Sequence, residues 1–87
     1  MNLIDRFNAS VKEAEQLTRR PSNEELLSLY ALYKQATLGD VQGEAPGGFD
    51  FKGIAKYNAW SALKGTSKEQ AMQQYIELVK SLSEKYR

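Results

Sequence analysis

Tyr30, Tyr33 and Lys34 are the residues in this chain whose types and spacing best suit binding chemistry. On a helix, at about 100° per residue, they fall on one continuous arc in the order Tyr33, Tyr30, Lys34. Two aromatic rings with a cation beside them and a solvent edge suit a flat aromatic group that carries phosphate. A second pair of cations, Lys52 and Lys56, is spaced four residues apart where a later helix is expected to begin. The helix dipole disfavours cations at that end, whereas an anion placed there is favoured by the dipole and the lysines together.

Composition excludes most other chemistry. The chain has 87 residues, which suits one domain over 1–87. A chain this short buries somewhat over ~60% of its unfolded surface, enough for one modest core. It has neither cysteine nor histidine. Disulfides, thiolate metal sites and thiol nucleophiles are thereby excluded, and so are the commonest metal ligand and the commonest general base. No metal site, no cofactor and no catalytic residue is expected. Lysine and arginine number 12 against 11 acids, too balanced for a dedicated nucleic-acid binder. No apolar run approaches the ~20 residues of a membrane span, so stable membrane insertion is not expected. Met1 to Arg6 carries an early acid and does not resemble a signal peptide. Lys64-Gly65-Thr66-Ser67 glances toward a phosphate loop, but its lysine precedes the glycine and no strand precedes it. The chain reads as a soluble, intracellular, single-domain binding module and not as an enzyme.

The elements that position these residues all read as helices. Leu3, Phe7, Val11, Ala14 and Thr18 recur at i+4 or i+3, which predicts a first helix from Leu3 to Leu17. Asn2 is its expected cap, Arg19 and Arg20 suit its end, and Pro21 stops it. Ser22 to Glu25 is a capping box. The second helix is expected to run to Leu38, with an apolar arc wider than one helix contact needs. Gly39 is placed to end it in a left-handed conformation. From Gly39 to Asp50 the pattern is aperiodic and holds four of the six glycines, so a long crossover is expected, and long loops often serve function. Asp50 is expected to cap a third helix, Phe51 to Leu63, with Ala55, Ala59, Ala62 and Leu63 on one side. Gly65 ends it, Thr66 to Glu69 reads as a second capping box, and the last helix is expected to reach Tyr86. Tyr57 and Tyr86 are read as core.

The run Tyr30-Ala31-Leu32-Tyr33-Lys34-Gln35-Ala36-Thr37-Leu38-Gly39-Asp40 is followed by Pro46-Gly47, Asp50-Phe51-Lys52-Gly53, Ala55-Lys56, Ala59-Trp60, Leu63-Lys64-Gly65-Thr66-Ser67, Ala71-Met72 and Tyr75. In this combination the chain resembles the acyl-CoA-binding protein family along essentially its whole length. The resemblance implies an all-α, up-down-down-up four-helix bundle with a long crossover between helices two and three. It also implies noncovalent binding, buffering and transport of medium- to long-chain fatty acyl-CoA by a cytoplasmic monomer. By similarity, Tyr33 and the stem of Lys56 would enclose the adenine. Tyr30, Lys34 and Lys56 would hold the ribose 3′-phosphate, with Lys52 and Tyr75 as further contacts. Leu26 and Leu27 are candidates for the acyl groove.

Four positions depart from the family's usual pattern. Glu15 and Ile54 stand where lysines are common, Ala45 where an arginine is, and Tyr57 where a tryptophan is. The first two motivate an alternative, a helical protein-interaction module that kept the scaffold and lost the ligand.

Overall fold

A computed structural model describes residues 2–86. Four helices form: α1 (Leu3–Glu15), α2 (Asn23–Leu38), α3 (Phe51–Ser61) and α4 (Lys68–Lys85). There is no strand among the described residues. No helix among them is long and apolar enough to cross a membrane.

Cross-helix contacts give the directions. Phe7 of α1 meets Tyr75 of α4. Further along both helices the Ser83 hydroxyl donates to Glu13 Oε1 at 2.7 Å, so α1 and α4 run parallel. Tyr30 of α2 meets Lys56 of α3, and one turn on Trp60 donates to Gln35, so α2 and α3 also run parallel. Between α2 and α4 the order reverses: Glu25 pairs with Lys85, while Tyr33 faces Tyr75. The bundle is therefore up-down-down-up, and the parallel α2–α3 pair demands the long return between them.

The core is built by three of the helices. Phe7, Leu29, Leu32, Ala36, Ala71, Tyr75, Val79 and Leu82 form one buried cluster. Helix α3 contributes no fully buried residue. It packs against α2 alone and leaves a groove beside it.

Helix boundaries follow their caps. Asn2 accepts from the Asp5 amide at 2.8 Å, and Ser22 with Glu25 completes the expected capping box. The box before α4 is one residue later than the sequence suggests. Ser67 caps and Gln70 reaches back, while Thr66 belongs to the preceding turn, its amide donating to the Leu63 carbonyl and its carbonyl accepting from Gln35. Helix α1 stops at Glu15 instead of Leu17. Leu17 turns inward to pack against the core, and the Thr18 hydroxyl donates to the Tyr86 carbonyl at 3.0 Å. Arg19 and Arg20 thus lie beyond the helix end. Helix α3 stops at Ser61 and tightens through Leu63-to-Trp60 and Lys64-to-Ser61 amide bonds. Ala62 is exposed there and is not part of the packed side. Helix α4 ends at Lys85, with Tyr86 as its cap.

Candidate functional site

The site is assembled from two helices and the strap between them. Gly39 ends α2 at φ 83° and ψ −151°. This is the extended positive-φ region open to glycine, and differs from the left-handed helical ending expected. The reversal aims the Gly39 carbonyl at α3, where the Trp60 indole donates to it at 2.9 Å.

Gln35 is fully buried, at 0% exposure, and its amide is used at both ends. It accepts from the Trp60 indole at 3.1 Å. It donates to Asp40 Oδ1 at 2.8 Å and to the Thr66 carbonyl at 2.7 Å. Asp40 Oδ1 also accepts from the Gly65 amide at 2.9 Å. That amide, then Gln35, hold the Asp40 carboxyl below its ordinary range. Four segments meet in this network: the ends of α2 and α3, the start of the crossover and the turn into α4. Part of the motif that drew attention in the sequence (Gln35, Gly39, Asp40 and Gly65-Thr66) is therefore scaffold. The Tyr57 hydroxyl adds a second anchor, donating to the Gly43 carbonyl at 2.9 Å.

With α3 fixed in this register, Lys56 reaches Tyr30. Its ammonium is 5.2 Å from the Tyr30 ring centroid, and that of Lys34 is 5.7 Å away. Lys34 also lies 5.9 Å from the Trp60 ring. Two ammonium groups, one from each helix, thus converge on one tyrosine. The single ion pair among the described residues joins Lys85 to Glu25, so no carboxylate neutralises either cation. Such a pair repels in isolation and attracts an anion placed between its members.

Beside Tyr30, residues near the starts of α2 and α3 line a groove of about 450 Å³. Leu26, Leu27, Phe51 and Ala55 give it an apolar lining, with Tyr30, Lys52 and Lys56 along its rim and Arg20 and Asn23 beside the start of α2. Arg20 donates to Asn23 Oδ1 at 3.2 Å. The groove has the shape and polarity of a seat for an alkyl chain joined to a charged head.

Tyr33 lies on the other flank of the arc. It stacks near Phe7 with centroids 6.0 Å apart and tilts against Tyr75 at 6.4 Å; Phe7 and Tyr75 meet edge to face at 5.1 Å. Tyr33 is 40% exposed and Tyr75 only 5%. Tyr33 is therefore partly open to solvent, and Tyr75 lies buried beside it. Burial pushes the Tyr75 phenol up, helped by Tyr33 and by the nearby Glu15.

The candidate residues are thus gathered in two adjoining groups. Tyr30, Lys34, Lys52, Lys56, Leu26 and Leu27 lie along the α2–α3 seam, and Tyr33 with Tyr75 lies toward α1 and α4. Sequence reading missed Arg20, Asn23, Phe51 and Ala55 in the groove, and Phe7 beside Tyr33. The parallel course of α2 and α3 could have found the first four, since it sets the start of one helix beside the start of the other. It also missed that Gln35 is buried. A glutamine among apolar positions on a helix face was the available signal.

Comparison with known proteins completes the picture. The family model described as acyl CoA binding protein matches residues 5–79. The chain is 49% identical over 82 residues to an acyl-CoA-binding protein homolog of Drosophila melanogaster, covering 94% of this chain and 95% of that one. It is 49% identical over 80 residues to an acyl-CoA-binding protein of Dictyostelium discoideum, covering 92% and 95%. The crystal structure of Oryza sativa acyl-CoA-binding protein 2 superposes with a TM-score of 0.92 at 45% identity, covering 97% of this chain and 93% of that one.

Proposed function

The chain belongs to the acyl-CoA-binding protein family, and we propose that it is a non-catalytic carrier of medium- to long-chain fatty acyl-CoA. In this reading it works as one domain over 1–87, as a cytoplasmic monomer that buffers and transports its ligand. The observation that carries the reading is the convergence of the Lys34 and Lys56 ammonium groups on Tyr30 at the head of an apolar groove. A CoA thioester has the complementary order: a phosphorylated nucleoside, a polar arm and an alkyl chain.

The parts divide the work by chemistry. Lys34, Lys56 and the Tyr30 hydroxyl hold the 3′-phosphate through charge-assisted bonds. The Tyr33 ring takes one face of the adenine, kept in place by Phe7 and Tyr75, and the stem of Lys56 covers the other. Lys52 adds charge at the groove rim. Leu26, Leu27, Phe51 and Ala55 bury the chain. At ~0.8 kcal/mol per methylene, a sixteen-carbon chain contributes roughly 10 kcal/mol before ordering costs. The head group thus selects CoA, and the groove rewards length.

Titration calorimetry with palmitoyl-CoA, free CoA and palmitate tests this directly. Palmitoyl-CoA is expected to bind far more tightly than free CoA, and palmitate negligibly. Equal affinity for palmitate and palmitoyl-CoA would remove the head-group assignment. Failure of all three to bind would favour the interaction-module alternative.

A further inference from the structure

Every other lysine of the chain is exposed; Lys34 alone is half-buried. An ammonium drawn out of water calls for a compensating partner, and among the described residues no carboxylate supplies one. Two aromatic rings do. The Lys34 ammonium lies 5.7 Å from the Tyr30 centroid and 5.9 Å from the Trp60 centroid, both within the ~6 Å over which a ring attracts a cation. Lys56 is exposed and lies near Tyr30 alone. The two cations of the site are therefore held differently.

Trp60 is itself fixed. Its indole donates to the Gly39 carbonyl at 2.9 Å and to Gln35 Oε1 at 3.1 Å. Gln35 is buried, and its amide nitrogen is tied to Asp40 and to the Thr66 carbonyl. A line of contacts thus runs from the interior of the bundle through Gln35 and Trp60 to the Lys34 ammonium. The Tyr30 ring cannot hold Lys34 by itself in the same way, since it is shared with Lys56. Rings attract a cation without cancelling its charge, as a carboxylate would. An ammonium placed in this way is ready for an anion, and much of its ordering cost is met before the ligand arrives.

We infer that Trp60 is a positioning residue: its ring holds the Lys34 ammonium where the ribose 3′-phosphate of CoA binds, and so sets the selection of a phosphorylated over an unphosphorylated ribose. Trp60 acts through Lys34 and not through the acyl groove, whose lining does not include it. The inference rests on the acyl-CoA reading of the site.

The test is titration calorimetry with palmitoyl-CoA and palmitoyl-3′-dephospho-CoA on the wild type, Trp60→Phe and Trp60→Leu, with circular dichroism to verify each fold. Both variants lose the indole N–H and share whatever the broken bonds to Gly39 and Gln35 cost. They differ in whether a ring stands beside Lys34. The wild type is expected to prefer the phosphorylated ligand. Trp60→Leu is expected to lose about tenfold in that preference, and Trp60→Phe to retain the greater part of it. Should Trp60→Leu not fold, Trp60→Met is the second ring-free variant, with the same expected loss. In a Lys34→Ala background, removal of the ring is expected to change the preference no further. Losses of affinity equal for the two ligands make Trp60 a scaffold residue only and overturn the inference. Equal losses of preference in Trp60→Phe and the ring-free variant overturn it as well, because the N–H and not the ring then acts. A further loss of preference in the Lys34→Ala background overturns the route through Lys34. A wild type that binds both ligands alike removes the phosphate reading itself, and the positioning role falls with it.

Discussion

The Lys56 ammonium lies 5.2 Å from the centroid of the Tyr30 ring, across the seam between two parallel helices. Only the twelve-residue return from Gly39 to Asp50 lets α3 run beside α2 in the direction that brings these two together. Lys34 approaches the same ring from α2 itself.

Because both cations converge on one place, they are expected to act on one phosphate. Lys34→Ala and Lys56→Ala should each cost about 1.5–3 kcal/mol in palmitoyl-CoA binding, or roughly ten- to hundredfold in affinity. Their effects should not add, since neighbours on one charged group are coupled. Calorimetry on the two single variants and the double variant checks this. Additive losses would mean that the two lysines serve different groups.

The groove makes a separate demand. Leu27→Ala removes apolar surface where the chain is expected to lie, but leaves the head-group cations untouched. Palmitoyl-CoA should lose about 1–2 kcal/mol of binding free energy, while free CoA should keep its affinity. Equal losses for both ligands would place Leu27 beside the head group instead.

The helices were legible in the sequence because periodicity and caps are local. Asn2, Ser22 and Asp50 each cap where their spacing says they should. The boundaries that moved were decided from outside the helix: α1 ends early because Leu17 and Thr18 have partners across the bundle. The candidate site was legible only in part. Tyr30 and Lys34 share an arc that spacing alone reveals. Nothing in spacing tells that Tyr75 is buried beside Tyr33, or that Arg20 and Phe51 line one groove. Those follow from which helix starts lie side by side. Nor does spacing separate the residues that face a ligand from the Gln35–Asp40 network that braces them.

That network carries a stability prediction. Gln35→Ala strips the Thr66 carbonyl of a buried donor and removes one of the two acceptors of the Trp60 indole. Stability to urea should fall by about 1–3 kcal/mol. Trp60, the one tryptophan, reports locally: its emission should shift to the red as water reaches the indole. An unshifted spectrum with full stability loss would separate the network from the packing of α3.

Gly39 tests the strap itself. At φ 83° and ψ −151° a side chain is strained whatever the space around it. Gly39→Ala should cost about 1–3 kcal/mol, by thermal or urea unfolding. Gly47→Ala is the control, since that residue has no positive φ and open space about it. Comparable losses at both positions would show that loop entropy, not the turn at Gly39, is what the glycines supply.

Glu25 sets the acid sensitivity of the other end of the bundle. Its carboxylate accepts from the Tyr86 hydroxyl at 2.6 Å, from the Ser22 amide at 2.8 Å and from Lys85 at 2.9 Å. These bonds, Tyr86 foremost, lower its pKa from 4.5 to about 2. A carboxyl with a depressed folded pKa stabilises the fold fully above its unfolded value and loses that contribution as pH falls through the folded one. Stability supplied by Glu25 is therefore present at neutral pH and disappears between about pH 4.5 and pH 2. Glu25→Gln should be less stable than wild type at pH 7, should show a shallower decline across that interval, and should converge on wild type at its lower end. Thermal melts followed by circular dichroism at a series of pH values measure both curves. Parallel curves across the interval would mean that the Tyr86, Ser22 and Lys85 bonds do not hold the Glu25 carboxyl ionised.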